Sequence, residues 1–189
     1  KFDRSQASLF AWDFLFLTMK KSDLPSYTLT QFYNNYLSTL EDAFLMPLLK
    51  QQMADFVNFL NKIPKEKHNY AYAMDKWTLM EVLIHIIDTE RIFQYRALRF
   101  SRGDTTELPG FDQDIFVPES LAGKRSMESI VKEYAAVRLS TILLFVYFTE
   151  ANLEYSGVAS SVPWTVGTIG FVICGHQQHH QNILEQRYL

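Results

Sequence analysis

Apolar residues recur at intervals of three and four through most of this chain, the spacing that lines one face of a helix. From Leu29 to Ile63 the series Leu37, Leu40, Phe44, Leu48, Leu49, Met53, Phe56, Phe59 and Leu60 keeps that rhythm and predicts helix, interrupted near Pro47. Thr78 stands three residues before Glu81, a capping-box pattern, and a second helix is predicted from about Thr78 to Phe100. Ser126 opens a third, which continues through Ile130, Val137, Leu143, Leu144 and Val146 to about Glu150. After a turn through Gly157 and Pro163, a fourth begins near Thr165 and reaches Leu184 or beyond. No strand alternation, repeat or low-complexity tract competes with this pattern. Amphipathic helices without a sheet to lie on must bury their stripes against one another, so the expected class is an all-α bundle.

At 189 residues, with 48% hydrophobic and 15% aromatic content, the chain suffices for one domain with a substantial core. Between the second and third helices, Gly103, Pro109, Gly110, Pro118 and Gly123 forbid a continuous helix. Ser101 to Arg125 is therefore expected to be a long crossover loop, and a loop of that length is usually ordered over a site.

His176 and His180 lie four residues apart on the predicted fourth helix, so their side chains differ by only about 40° in direction. They share the stripe of Ile169, Val172, Ile173 and Ile183, which turns them into the bundle, where metal sites of such folds are built. His85 sits among Val82, Leu83, Ile84, Ile86 and Ile87, where an imidazole needs partners for its nitrogens. A hydrogen-bonded core histidine satisfies that need as well as a ligand does. His179, three residues after His176, competes geometrically with His180 for the same ion, and His68 falls in a polar turn.

Three imidazoles without a fourth protein ligand leave coordination positions open, as catalytic metal sites do. They suit zinc, nickel, copper or iron. Glu81 and Asp88, near one turn either side of His85, are candidates to orient its free nitrogen, with surface ion pairing as the plainer reading. Glu90, Arg91, Arg96, Arg99 and Arg102 are expected to form a solvated charged face. Phe56, Phe59, Phe93, Phe145, Phe148 and Phe171 are expected to pack the core, Asp112 and Asp114 to form turns, with a loop carboxylate serving as a base near the metal as their second reading, and Cys174 to be a small buried residue.

Several functional classes are disfavoured. A net charge of -3 provides no basic field for a nucleic acid. One cysteine precludes an internal disulfide framework and fits a reducing compartment, so a cytoplasmic location is expected. The apolar stretch from Ala7 to Met19 contains Asp13 and is too short for a membrane span, and it lacks the marks of a signal peptide. Met19-Lys20-Lys21 looks like an ordinary protein start, so residues 1–24 are expected to be an extension and residues 25–189 the domain.

The run Lys76-Trp77-Thr78-Leu79-Met80-Glu81-Val82-Leu83-Ile84-His85, continuing Ile86-Ile87-Asp88-Thr89-Glu90-Arg91, resembles a signature of DinB/YfiT-like proteins. Gly175-His176-Gln177-Gln178-His179-His180, with Ile183-Leu184-Glu185-Gln186-Arg187-Tyr188-Leu189, resembles that family's second signature, and Leu108 to Asp114 resembles its crossover loop. The resemblance implies an up-down-down-up four-helix bundle with a long crossover between helices 2 and 3. It implies one divalent ion, zinc or nickel ahead of iron or others, held by His85, His176 and His180, which demotes His179. It also implies a homodimer, and related enzymes include thiol S-transferases. Gln177 departs from the glutamate common in the family at that position, which weakens a hydrolase assignment.

Two functions are expected from these features. The first is a metal-dependent enzyme activating a low-molecular-weight thiol, as an S-transferase, or water, as a hydrolase, with a small-molecule thiol or electrophile as its partner and no catalytic side chain assigned. The second is a non-catalytic metal-binding stress-response or interaction protein.

Overall fold

The computed structural model describes residues 18–25 and 29–189. The apolar stretch Ala7–Met19 and the expected N-terminal extension lie largely outside them. In chain order the elements are α1 (Gln31–Leu37), α2 (Leu45–Leu60), α3 (Leu79–Ser101), α4 (Gln113–Glu119), α5 (Met127–Phe145), α6 (Glu150–Glu154), β1 (Ser156–Ala159), β2 (Val162–Thr165) and α7 (Val166–Arg187). The four long helices α2, α3, α5 and α7 form the bundle, and α1 lies against α7.

Three of the four bundle helices start at a side-chain cap. Thr78 accepts the Glu81 amide on its hydroxyl, and Glu81 Oε2 accepts the Thr78 amide at 2.7 Å, so the capping box opens α3. Ser126 and Thr165 cap α5 and α7 by accepting the amides of Ser129 and Thr168. At the far end of α3, Gly103 takes φ +76°, and the Asp104 amide donates to Arg99 O while the Gly103 amide donates to Phe100 O. That pairing is a Schellman end, and it turns the chain into the crossover.

Pairwise contacts fix the directions. Arg91 with Glu133 and Gln94 with Ser140 advance together, so α3 and α5 run parallel. Phe56 meets Tyr134 while Leu49 meets Arg138, so α2 and α5 are antiparallel. Tyr188 donates to Trp77 O, and Phe93 meets Trp164, so α3 and α7 are antiparallel. The bundle is thus up-down-down-up, and the parallel pair α3 and α5 requires the long crossover that the breakers predict.

Three local expectations change. The helical run broken near Pro47 is two helices separated by residues 38–44; Pro47 sits in the first turn of α2, where its missing amide costs no intrahelical bond. The crossover carries the short helix α4, capped by Asp112, whose Oδ1 accepts the Asp114 amide at 2.9 Å. A two-stranded hairpin precedes α7, with Ala159 opposite Val162 and Ser160 and Ser161 both at positive φ, 53° and 59°. Its four-residue strands are too short to show alternation, and its turn has serines where Asn-Gly is the usual signal.

The core divides into two apolar clusters along the bundle. One gathers Leu45, Leu49, Phe93, Phe100, Phe145, Trp164 and Phe171, the other Phe56, Leu60, Leu79, Leu83, Ile87, Ile130 and Leu184. Between them every bundle helix contributes a buried polar group: Gln52 from α2, Glu90 from α3, Arg138 and Thr141 from α5, Gln177 from α7. No helix among the described residues is long and apolar enough to cross a membrane.

Candidate metal centre

Helix α3 presents His85 to α7, and the antiparallel pairing sets it opposite His176 and His180 one helical turn apart. One ligand atom from each of the three lies within 4.8 Å of the other two. His85 Nε2 and His176 Nε2 are 3.0 Å apart, and the His85 ring lies 4.8 Å from that of His180. Burial pushes the His85 imidazolium down to about 4 and drives His176 and His180 well below the ordinary histidine range, with the neighbouring imidazoles adding to the effect for both. All three are therefore neutral at pH 7, the state in which imidazole ligates.

The donor set fits a metal ion on a further observation. His180 Nε2 is buried without a hydrogen-bond partner, alone in this among the buried side-chain polar atoms of the described residues. A buried imidazole nitrogen left without a partner beside two other imidazoles is costly unless something engages it.

The surroundings set the ring orientations. Thr89, four residues after His85 on the same face, places Oγ1 3.4 Å from His85 Nδ1. The Trp77 ring lies tilted beside that ring, with centroids 4.9 Å apart. Tyr36 of α1 packs edge-on against His176 and His179, both at 5.1 Å. Gly175 permits this, because a Cβ there would stand 2.4 Å from Tyr36 O. His179 stays outside the cluster, half-buried against Tyr36 and His180. Glu81 is committed to the α3 cap and Asp88 pairs with Arg91, so neither orients His85. Thr89 lies nearest Nδ1 instead, and its i, i+4 spacing was the available signal.

A cleft of about 480 Å³ opens onto His85 and His176. Its walls come from α1, α3, the crossover segment Gly110 to Asp114 and Ser160 of the hairpin turn. The expected solvated face is corrected at two positions. Arg96 is 2% exposed, because its guanidinium donates to Pro109 O at 3.2 Å and Ser160 Oγ at 2.8 Å and ties the crossover to the hairpin. Glu90 is 3% exposed, because Arg138 binds both its carboxylate oxygens, at 2.7 and 2.9 Å. Arg91 and Arg99 form surface pairs as expected, with Glu133 and Asp104. Cys174 is fully buried and its thiol is pushed up to about 12, which removes it as a nucleophile.

Gln177 turns away from the histidines. Its Oε1 accepts from Tyr134 Oη at 2.5 Å and from Arg138 Nη2 at 2.8 Å. The glutamate that the resemblance leads one to expect here is replaced by a neutral acceptor beside an arginine that Glu90 already neutralises.

Residues 48–184 match the DinB superfamily. Among solved structures, YfiT from Bacillus subtilis, described as a probable metal-dependent hydrolase with an unusual four-helix bundle topology, is similar at TM-score 0.61 and 12% identity over 86% of this chain and 90% of that one. At that identity the likeness concerns the fold. No curated protein matches the chain.

Proposed function

The chain belongs to the DinB superfamily, and from that premise we propose a metal-dependent enzyme in which His85, His176 and His180 hold one divalent ion at the foot of the cleft. The observation that carries this reading is the buried three-imidazole cluster with its unpartnered His180 Nε2. A divalent ion so held lowers the pKa of a bound thiol or water and makes it nucleophilic at neutral pH. His85 can donate a hydrogen bond from Nδ1–H to Thr89 Oγ1, the tautomer that leaves Nε2 with a lone pair for ligation.

Two observations bear on the nucleophile. The hydrolase description of YfiT favours water. Against it, no carboxylate joins the three histidines among the described residues, Gln177 is held in another network, and of the two carboxylates that line the cleft Asp112 Oδ1 is taken up by the Asp114 amide. A water attack gains from a nearby base, whereas a thiol needs only to lose its proton to solvent. The side-chain chemistry therefore supports S-transfer: the sulfur forms a bond to an electrophilic carbon, and the leaving group departs with its bonding pair.

Metal analysis of purified protein against His85→Ala is the first test, with at least one equivalent expected in the parent and little in the variant. Equal metal in both removes the site. A panel of low-molecular-weight thiols with monochlorobimane then separates the chemistries. Absence of turnover with metal bound points to hydrolysis or to metal binding alone.

A further inference from the structure

Resting on that reading of the site, we propose that the substrate held in the cleft is a flat aromatic small molecule, neutral or cationic at its outer end and without phosphate or other polyanionic groups. The walls argue for the ring. Phe32, Tyr33 and Tyr36 of α1 contact one another edge to face, with centroids 5.0 to 6.3 Å apart, and Tyr33 continues the array to Phe93 of α3 at 6.4 Å. Phe111, braced by Phe116 at 5.5 Å, supplies a further ring from the crossover. These rings hold one another in place before any ligand arrives, and a preformed apolar slot selects a planar body at small entropic cost.

Charge at the mouth argues for the outer end. Asp112 and Asp114 are exposed and line the cleft, and no lysine or arginine lines it. Arg96 is not itself in the lining; it bonds Pro109 O, Ser160 Oγ and the Tyr33 side chain and stands 5.4 Å from the Phe93 ring centroid. Its charge offsets one of the two carboxylates, so the discrimination expected of the mouth is several-fold and not larger. A phosphate would meet two carboxylates and no donor cation.

The test uses zinc-loaded protein and hydroxamates that share one metal-binding end: acetohydroxamate, benzohydroxamate, 4-(aminomethyl)benzohydroxamate and 4-carboxybenzohydroxamate, followed by calorimetry. Benzohydroxamate should bind about tenfold tighter than acetohydroxamate. The aminomethyl compound should be at least its equal, and the carboxy compound about three- to fivefold weaker. Phe111→Ala should bring acetohydroxamate and benzohydroxamate together, while Asp112→Asn with Asp114→Asn should abolish the charge preference and keep the ring preference. Equal binding of the first two compounds by the metal-loaded parent, or tighter binding of the carboxy compound, overturns the proposal alone. A protein that retains no zinc overturns the metal reading beneath it.

Discussion

Around Arg138 the buried polar atoms of the described chain are answered, and at His180 one is not. The guanidinium binds both oxygens of Glu90 and reaches Gln177, while Thr141 donates to Glu90 Oε1 at 2.8 Å and Tyr134 to Gln177. One turn along α7 from Gln177, His180 Nε2 has no partner. Both groups sit among apolar side chains and pay the same kind of desolvation. A network closed on itself specifies how four helices meet, whereas an open one waits for a ligand.

Breaking the closed network should have the largest effect. Arg138→Ala leaves Glu90 buried without a counter-charge, and we expect a loss of about 3–5 kcal/mol in denaturant unfolding. A loss below about 1 kcal/mol would show that the network does not hold the bundle together. The open cluster should behave in the opposite way. His180→Leu in metal-free protein removes an unpartnered nitrogen and keeps most of the volume, so its cost should stay under about 1 kcal/mol. Metal at about a thousand times its dissociation constant should stabilise the parent by about 4 kcal/mol and His180→Leu far less. Equal stabilisation of both would remove His180 from the ligand set.

Acid distinguishes the cluster next. The folded histidines titrate below the unfolded value of about 6.5, His85 at about 4 and the others also depressed by burial. Below pH 6.5 the unfolded chain takes up protons that the folded chain refuses. Stability of metal-free protein should therefore fall with decreasing pH, by up to about 1.4 kcal/mol per unit for each histidine, until the folded groups titrate. His180→Leu should flatten that slope by one histidine's share. An unchanged slope would mean that His180 protonates freely in the folded state.

The two groups were not equally legible in the sequence. Helix spacing and capping chemistry are local, so Thr78 with Glu81, Ser126 and Thr165 mark helix starts that the structure retains. The HxxxH spacing is local too, but choosing His180 over His179 took the family signature. The closed network is a long-range object: Glu90 and Arg138 are 48 positions apart. Along α3 alone, Glu90 and Arg96 look like members of a basic and acidic face, and nothing within one helix tells which charge the neighbouring helix will cover. The hairpin escaped for a different reason, since Ser160 and Ser161 accept a left-handed backbone that residues of their kind seldom mark. Ser160 earns its place through Arg96, a contact 64 positions away.

Gln177→Glu tests where the two groups divide, because Gln177 follows His176 in sequence but faces Arg138. A carboxylate there keeps both acceptor contacts, to Tyr134 and Arg138, and adds a second negative charge beside Glu90 with one guanidinium between them. Repulsion and burial should raise the folded pKa of the new group above its unfolded value of about 4.3. With a raised folded pKa, the variant matches the parent most closely at low pH and loses ground as pH rises through that value. A deficit of about 1 kcal/mol near pH 8, shrinking towards pH 5, is the expected result in thermal or urea unfolding. Metal content should not change, because the side chain points away from the histidines. A change in metal affinity without the pH-dependent deficit would mean that residue 177 turns towards the ion, and the line drawn between the two networks would then fall on the other side of it.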